Sequence, residues 1–206
     1  GIGAAAPTTF GPYTFDDGDL SDFTLIDVDE DSRNWVVEQV GVDGTKCIKS
    51  YSYIAAEYLN VNANNIIRTN QAYSISPDSK LSFDAAYHSY ASTSWQDKVK
   101  VEVSKDGENF NQIDVVNPQS SSFVKKTVNL GARFAELDLE YGEYYIALRH
   151  QEHGFYDIRI DNLELIGSAE SSAGENQIDG VQYPAGTYYL VAAAEGDFTL
   201  NLSIAS

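Results

Sequence analysis

Lys98-Val99-Lys100-Val101-Glu102-Val103 alternates a charged residue with valine at every step, and segments with strand character recur along most of the chain. A strand with one face on a core and the other in water produces such a pattern, because successive side chains point to opposite faces. Turn residues bound these segments. Lys105-Asp106-Gly107-Glu108-Asn109 separates 98–103 from a returning strand at 110–116. Asp43-Gly44 joins 35–42 to 45–53, because glycine accepts the positive φ of a tight hairpin turn. Pro77-Asp78-Ser79 precedes a strand at 81–85, and further strands are expected at 123–130, 144–150, 156–166, 187–193 and 198–204. Residues 132–139 alone suit a helix, and Gly142 stops it. Without helical segments of ten or more residues, βαβ units cannot form. The expectation is an all-β, mostly antiparallel sandwich of the jelly-roll kind.

The 206 residues are 43% hydrophobic and 12% aromatic, ample for one packed sandwich. Residues 1–11 carry few side chains worth packing and read as a leader or disordered segment. The jelly roll is expected over 12–167, and the small polar run at 168–176 reads as a linker. Residues 177–206 read as a C-terminal hairpin unit, too short to bury a core alone and expected to pack on the main domain, with the start of another module as the alternative.

Asp and Glu number 31 against 13 Lys and Arg, a net charge of −18. A surface this acidic repels phosphate backbones and anionic lipid, which excludes nucleic acid as a partner. No apolar run approaches a bilayer span, so membrane insertion is not expected. The lone Cys47 excludes an intrachain disulfide and sits in an alternating segment, as a buried structural thiol would. Secreted eukaryotic domains usually carry more cysteines, so the composition suits a bacterial surface protein. The absence of methionine suggests a mature chain whose leader has been removed.

Asp27-Val28-Asp29-Glu30-Asp31, followed by Trp35, is the densest chemical signal. Carboxylates on alternate positions form a hard-oxygen cluster, and Ca²⁺ is the cation best matched to it. Asp27, Asp29 and Asp31 have the spacing of the first EF-hand ligands, and Glu38 falls at the twelfth position. However, Ser32 stands where an EF-hand needs glycine, and the flanks are strand-like rather than helical. A calcium loop between strands remains, with a solvated acidic turn as the alternative. Asp16 and Asp161, near opposite ends of the fold, form a second candidate metal pair if first and last strands lie side by side. Capping and turn hydrogen bonds are the alternative there.

These residues resemble a known family. Asp27 to Asp31 followed by Asn34-Trp35 is similar to the D-x-D-x-D-x-x-x-W signature of the cleaved-adhesin, or choice-of-anchor J, domains. Ser50-Tyr51-Ser52-Tyr53, Leu81-Ser82-Phe83-Asp84, Asp97 to Ser104, Tyr145 to His150 and Ile160-Asp161-Asn162-Leu163 resemble its later landmarks in order, over roughly residues 13–167. The family usually has glycine after the second and third acidic positions, where this chain has Glu30 and Ser32. The resemblance implies a calcium-binding jelly roll, with likeness to galactose-binding, MAM and carbohydrate-binding modules. It also implies secreted or cell-surface proteins, chiefly of Bacteroidetes.

Tyr87, His88, Tyr90 and Trp95, with Tyr156 from a neighbouring loop, are the candidate ligand-binding residues, since aromatic planes beside short hydroxyl side chains suit sugars and peptides. Trp95 fits a core position equally well. His150 and His153 have a metal-pair spacing only if helical, and this segment reads as strand and turn. No G-x-S-x-G elbow, H-E-x-x-H helix or phosphate-binding glycine loop is present, and no carboxylate pair stands out as catalytic. The expectation is a non-catalytic, extracellular or cell-surface module that recognises glycan or extracellular protein, with Ca²⁺ as cofactor. The alternative is an accessory domain of a larger secreted peptidase or glycoside hydrolase.

Overall fold

The computed structural model describes residues 5–91 and 96–167. The strands in chain order are β1 (Phe10–Tyr13), β2 (Phe23–Asp27), β3 (Val36–Glu38), β4 (Cys47–Tyr51), β5 (Tyr53–Ile54), β6 (Leu59–Asn60) and β7 (Ala63–Thr69). They continue with β8 (Tyr73–Ile75), β9 (Lys80–Ser89), β10 (Val99–Ser104), β11 (Asn111–Val116), β12 (Val124–Asn129), β13 (Gly142–Glu152) and β14 (Tyr156–Ile166). One helix, α1 (Leu130–Glu136), lies between β12 and β13.

The first sheet runs β12-β9-β14-β4-β3, with β1 also on β14. The second runs β11-β10-β13-β7-β2, with β8 also on β13, and β5 and β6 form a small ribbon. Every described ladder is antiparallel. Val99, Val101 and Val103 point inward with no exposure, as their alternation required. They join Trp35, Ile48, Phe83, Phe134, Tyr144, Leu148 and Ile158 in one core. Each large side chain buried there contributes about 1.5–3 kcal/mol relative to exposure. The architecture is the expected antiparallel jelly-roll sandwich.

Several details differ from expectation. Phe10 is 7% exposed and packs edge-on to Tyr73 at 4.9 Å. β1 pairs with β14 through Phe10 and Leu165, so the sheet begins before residue 12 and the supposed leader is shorter. The hairpin at Asp43-Gly44 has short arms, because Val42–Gly44 closes as a 3₁₀ turn with Asp43 at φ 52°. The helix starts earlier than residue 132, where the Asn129 side chain accepts from the Ala132 amide at 3.1 Å and caps it. Gly131 allows this start, since a Cβ there would lie 1.8 Å from the Pro77 carbonyl oxygen. β7 was not expected at all. Its Ile66 and Ile67 point to opposite faces yet are 1% and 2% exposed, so a strand covered on both sides hides the alternation. Trp95, the expected strands at 187–193 and 198–204, the linker at 168–176 and the C-terminal unit lie outside the described residues.

Candidate functional site

β2 delivers Asp27 at its last position, and the chain then turns sharply through residues 28–34 to reach Trp35 and β3. Trp35 anchors the far side: it is 1% exposed, and its Nε1 donates to the Asn65 carbonyl at 3.1 Å. Glu30 and Ser32 adopt φ of 56° and 64°, so the left-handed turns that glycine would make easily are made here by residues with side chains.

The turn gathers Asp27, Asp29 and Asp31 with one carboxylate oxygen of each within 4.8 Å of the others, which could hold a metal ion. Glu38 is not in this group; it pairs with Lys49. Asp27 Oδ2 accepts from the Ser32 amide at 2.8 Å, and Asp31 accepts from the Arg33 amide at 2.8 Å and its guanidinium at 3.0 Å. Asp27 Oδ1 and Asp29 Oδ1 are buried with no partner. Burial, then the negative charges of Asp31 and Asp27, holds the Asp29 carboxyl above its usual pKa. Three converging, partly buried acids, two of them with an oxygen to spare, are a chemical fit to Ca²⁺, which takes six to eight oxygen ligands.

Asp161 and Asp16 are placed differently. Asp161 is 1% exposed; one of its oxygens accepts from the Val42 amide at 2.9 Å, the other from the Asn162 amide at 2.7 Å. Asp16 accepts from the Lys46 amide at 3.0 Å. The two carboxylates are near enough that Asp16 adds to the upward shift that burial imposes on Asp161, and Asp84 adds a further part. Both hold the turn around residues 41–46, in the manner of capping bonds. Cys47 beside them is fully buried, its thiol pushed up to about 12 by burial first and Asp161 second, as an inert thiol should be.

Beneath the acidic turn lies a polar chain through the core. Asn65 Nδ2 donates to Ser50 Oγ at 3.1 Å, and Ser50 Oγ meets His150 Nδ1 at 2.8 Å. His150 Nε2 meets Asp97 Oδ2 at 2.8 Å, and Ser52 Oγ donates to the same oxygen at 2.6 Å. Gly154 N–H donates to Ser52 Oγ at 3.1 Å, and a Cβ on Gly154 would lie 2.2 Å from Asp97 Oδ1. Ser50, His150 and Asp97 have the order of a nucleophile, base and orienting acid. Each is 0% exposed, so no substrate carbonyl reaches Ser50 Oγ. The array ties the two sheets together. His153, by contrast, is exposed, so the two histidines do not pair.

The aromatic candidates separate into core and surface. Tyr156 is only 4% exposed, its ring edge-on to Tyr87 at 5.4 Å. Its expected place at a ligand surface is corrected: at the start of β14 its side chain turns into the sandwich. Tyr87 is half-buried against the core. His88 and Tyr90 are exposed and in edge contact at 4.5 Å. Tyr53 joins them, with ring centroids 5.3 Å from both Tyr90 and Phe155. The Tyr90 hydroxyl donates to Asp157 Oδ2 at 3.1 Å, and burial, then the Asp157 charge, pushes it up to about 12. Asp157 is itself fixed by the His88 amide and the Arg159 guanidinium. Sequence reasoning missed Tyr53, Asp157 and Arg159. The alternation Ser50-Tyr51-Ser52-Tyr53, serines inward and tyrosines outward, was the available signal for Tyr53. A depression of about 180 Å³ lined by Pro12, Tyr13, Asp17 and Asp22 lies elsewhere and is small for a ligand pocket of about 300–1,000 Å³.

No family model and no curated protein matches the sequence. Solved structures do. The K1 cleaved adhesin domain of Lys-gingipain from Porphyromonas gingivalis W83 is 22% identical, with a TM-score of 0.62 over 78% of this chain and 98% of that one. This chain has the cleaved-adhesin fold. The K3 domain of the same protein aligns over 74% of this chain and 94% of its own, at 22% identity and TM-score 0.57. A Clostridium thermocellum xylanase 10B structure containing CBM22-1 and GH10 modules, complexed with xylohexaose, aligns at 12% identity and TM-score 0.50, over 80% of this chain and 30% of that one. Among the described residues no helix is long and apolar enough to cross a membrane.

Proposed function

We propose that this chain is a non-catalytic, calcium-stabilised binding module of a bacterial secreted or cell-surface protein, recognising a glycan or an extracellular protein. The observation that carries the binding role is the surface cluster of Tyr53, His88, Tyr90 and Phe155, locked from behind by Asp157 and Arg159. Aromatic rings held at fixed tilt offer apolar planes at low entropic cost, the property that sugars and peptide anchors exploit. The adhesin domains and the carbohydrate-binding module with this fold support the same reading.

Calcium belongs to this reading through the fit of Asp27, Asp29 and Asp31. The ion would offset the burial, and then the repulsion from Asp31 and Asp27, that raise the Asp29 pKa, and would stiffen the turn between β2 and β3. The absence of catalysis is supported by the burial of the Ser50–His150–Asp97 array, the arrangement closest to a hydrolase centre.

A glycan array and an extracellular-protein pulldown, each run with Ca²⁺ and with chelator, test the proposal. Binding should require Tyr90 and fall at least tenfold in Tyr90→Ala. A protein that binds nothing on either panel, or whose binding ignores Tyr90, contradicts it. A second reading, an accessory domain of a larger secreted peptidase or hydrolase, is favoured by the xylanase structure, in which the matched module shares a chain with GH10. Loss of a partner domain's activity on deleting this one would support that.

A further inference from the structure

Buried polar atoms without partners are costly and therefore informative. Among the described residues, three such oxygens fall on the β2–β7 side of the sandwich: Asp27 Oδ1, Asp29 Oδ1 and Asn65 Oδ1. Asn65 is 2% exposed, and its amide is half used, with Nδ2 on Ser50 and Oδ1 on nothing. The ladder places it beside the acidic turn. Asp27 faces Asn65 in the β2–β7 register, and Val28 N–H donates to the Asn64 carbonyl at 3.0 Å. The facing pair is therefore of the non-hydrogen-bonded kind, in which side chains on one face approach most closely, with Cβ atoms about 4.5–5.5 Å apart. Facing residues that each carry a buried acceptor without a donor suit a shared cation.

We infer that Asn65 is a further ligand of the cation held by Asp27, Asp29 and Asp31, supplying a neutral amide oxygen from inside the sandwich. The inference rests on the calcium reading above and adds to it a residue outside the acidic turn. Side-chain amide oxygens are ordinary Ca²⁺ ligands. Asn65 also gives the ion a connection to the interior. A cation on Oδ1 polarises the amide and strengthens its Nδ2–H as a donor to Ser50. Ser50 Oγ, accepting from Asn65, turns its own proton to His150 Nδ1, which leaves the Nε2 proton for Asp97. Ser52 and Gly154 extend the chain to the turn that carries Phe155, whose carbonyl accepts from the Tyr90 amide at 2.7 Å. Ion loading is thereby linked to the floor of the aromatic cluster.

Calcium titration calorimetry on the full chain tests this with wild type, Asn65→Ala and Asn65→Asp. Asn65→Ala should weaken Ca²⁺ about tenfold, the low end of losses at metal-supporting residues. Asn65→Asp keeps an oxygen at the same place and should bind Ca²⁺ at least as tightly as wild type. Unchanged affinity in both variants, with wild type binding normally, overturns the role of Asn65 and leaves the calcium reading standing. A wild type that binds no Ca²⁺ overturns both. Should Asn65→Ala fail to fold, the Asn65 side-chain amide ¹⁵N resonance of wild type decides: it should move on adding Ca²⁺, and a stationary signal refutes ligation.

Discussion

Two acidic turns in this molecule solve the same electrostatic problem in opposite ways. In the turn after β10, Asp106 accepts from the Glu108 and Asn109 amides, from Asn109 Nδ2 and from Ser104 Oγ, all between 2.7 and 2.9 Å. Those donors hold its carboxyl well below the usual carboxylate range. In the turn after β2, Asp27 and Asp29 each keep a buried oxygen with no donor, and Asp29 is pushed upward instead. A carboxylate satisfied by its own turn needs nothing further. One that crowds against two others and lacks donors needs a counter-charge from outside. Acidic content alone therefore does not mark a metal site; the unspent acceptors do.

The largest expected effect is at the self-satisfied turn. Asp106→Ala should lower the melting temperature by roughly 2–6 °C, the scale of a lost cap in a chain of this size, and equally with calcium or chelator. A loss that depended on calcium would break the contrast. At the other turn the effect should be smaller and wholly conditional. Extracellular sites with Kd of about 10⁻⁴–10⁻³ M add about 0.4–1.4 kcal/mol at millimolar Ca²⁺, so chelation should cost roughly 1–5 °C. Asp29→Ala should abolish that difference. Identical melts of wild type with and without chelator would contradict the calcium site.

Acid titration should separate the turns by sign. Asp106 titrates lower in the folded chain than in the unfolded one, so its stabilisation is present above the ordinary carboxylate pKa and disappears as pH falls toward the folded value. Asp29 titrates higher when folded, so without a cation the chain loses stability as pH rises from the ordinary value through the raised one. Melts between about pH 3 and 6 in chelator should therefore show a shallower pH slope for Asp106→Asn than for wild type and a steeper one for Asp29→Asn. Calcium should cancel the Asp29 term, because it binds only the deprotonated acid. Parallel slopes in the two variants would mean the turns are alike after all.

How much of this was legible depended on whether one segment carried the signal. β10 stood out because its alternation is intact, β14 because its alternation holds on either side of an irregularity at Asp161–Asn162, and the Asp27–Asp29–Asp31 spacing because all three lie on one turn. β7 did not, since Asn64-Asn65-Ile66-Ile67 is covered on both faces and loses its period. Phe10–Tyr13 was hidden by Gly11 and Pro12, which interrupt any alternation at the boundary between the expected leader and the jelly roll, although the strand pairs with β14. Asn65 and the Ser50–His150–Asp97 chain join residues from separate segments: the registers of β2, β7 and β13 align Asp27, Asn65 and His150, and the packing of the two sheets brings Ser50 of β4 against them. Tyr156 misled because an aromatic next to a turn looks exposed until the direction of its strand is known.

The smallest expected effect probes the shape of the acidic turn. Glu30 and Ser32 hold left-handed φ, which costs a residue with a Cβ about 1–2 kcal/mol, while glycine there forfeits about 0.4–1 kcal/mol through the looser unfolded chain. Ser32→Gly should therefore stabilise by roughly 0.5 kcal/mol, with or without calcium, as its amide still reaches Asp27 Oδ2. Glu30→Gly relieves the same strain but also removes a negative charge beside the three acids, so its gain should be larger in chelator than in calcium. Calorimetric melts of both variants in both conditions measure this directly. If Glu30→Gly gains equally in the two, the charge of Glu30 is not felt by the acids. The repulsion would then be confined to Asp27, Asp29 and Asp31, of which Asp27 and Asp29 keep a buried oxygen without a donor.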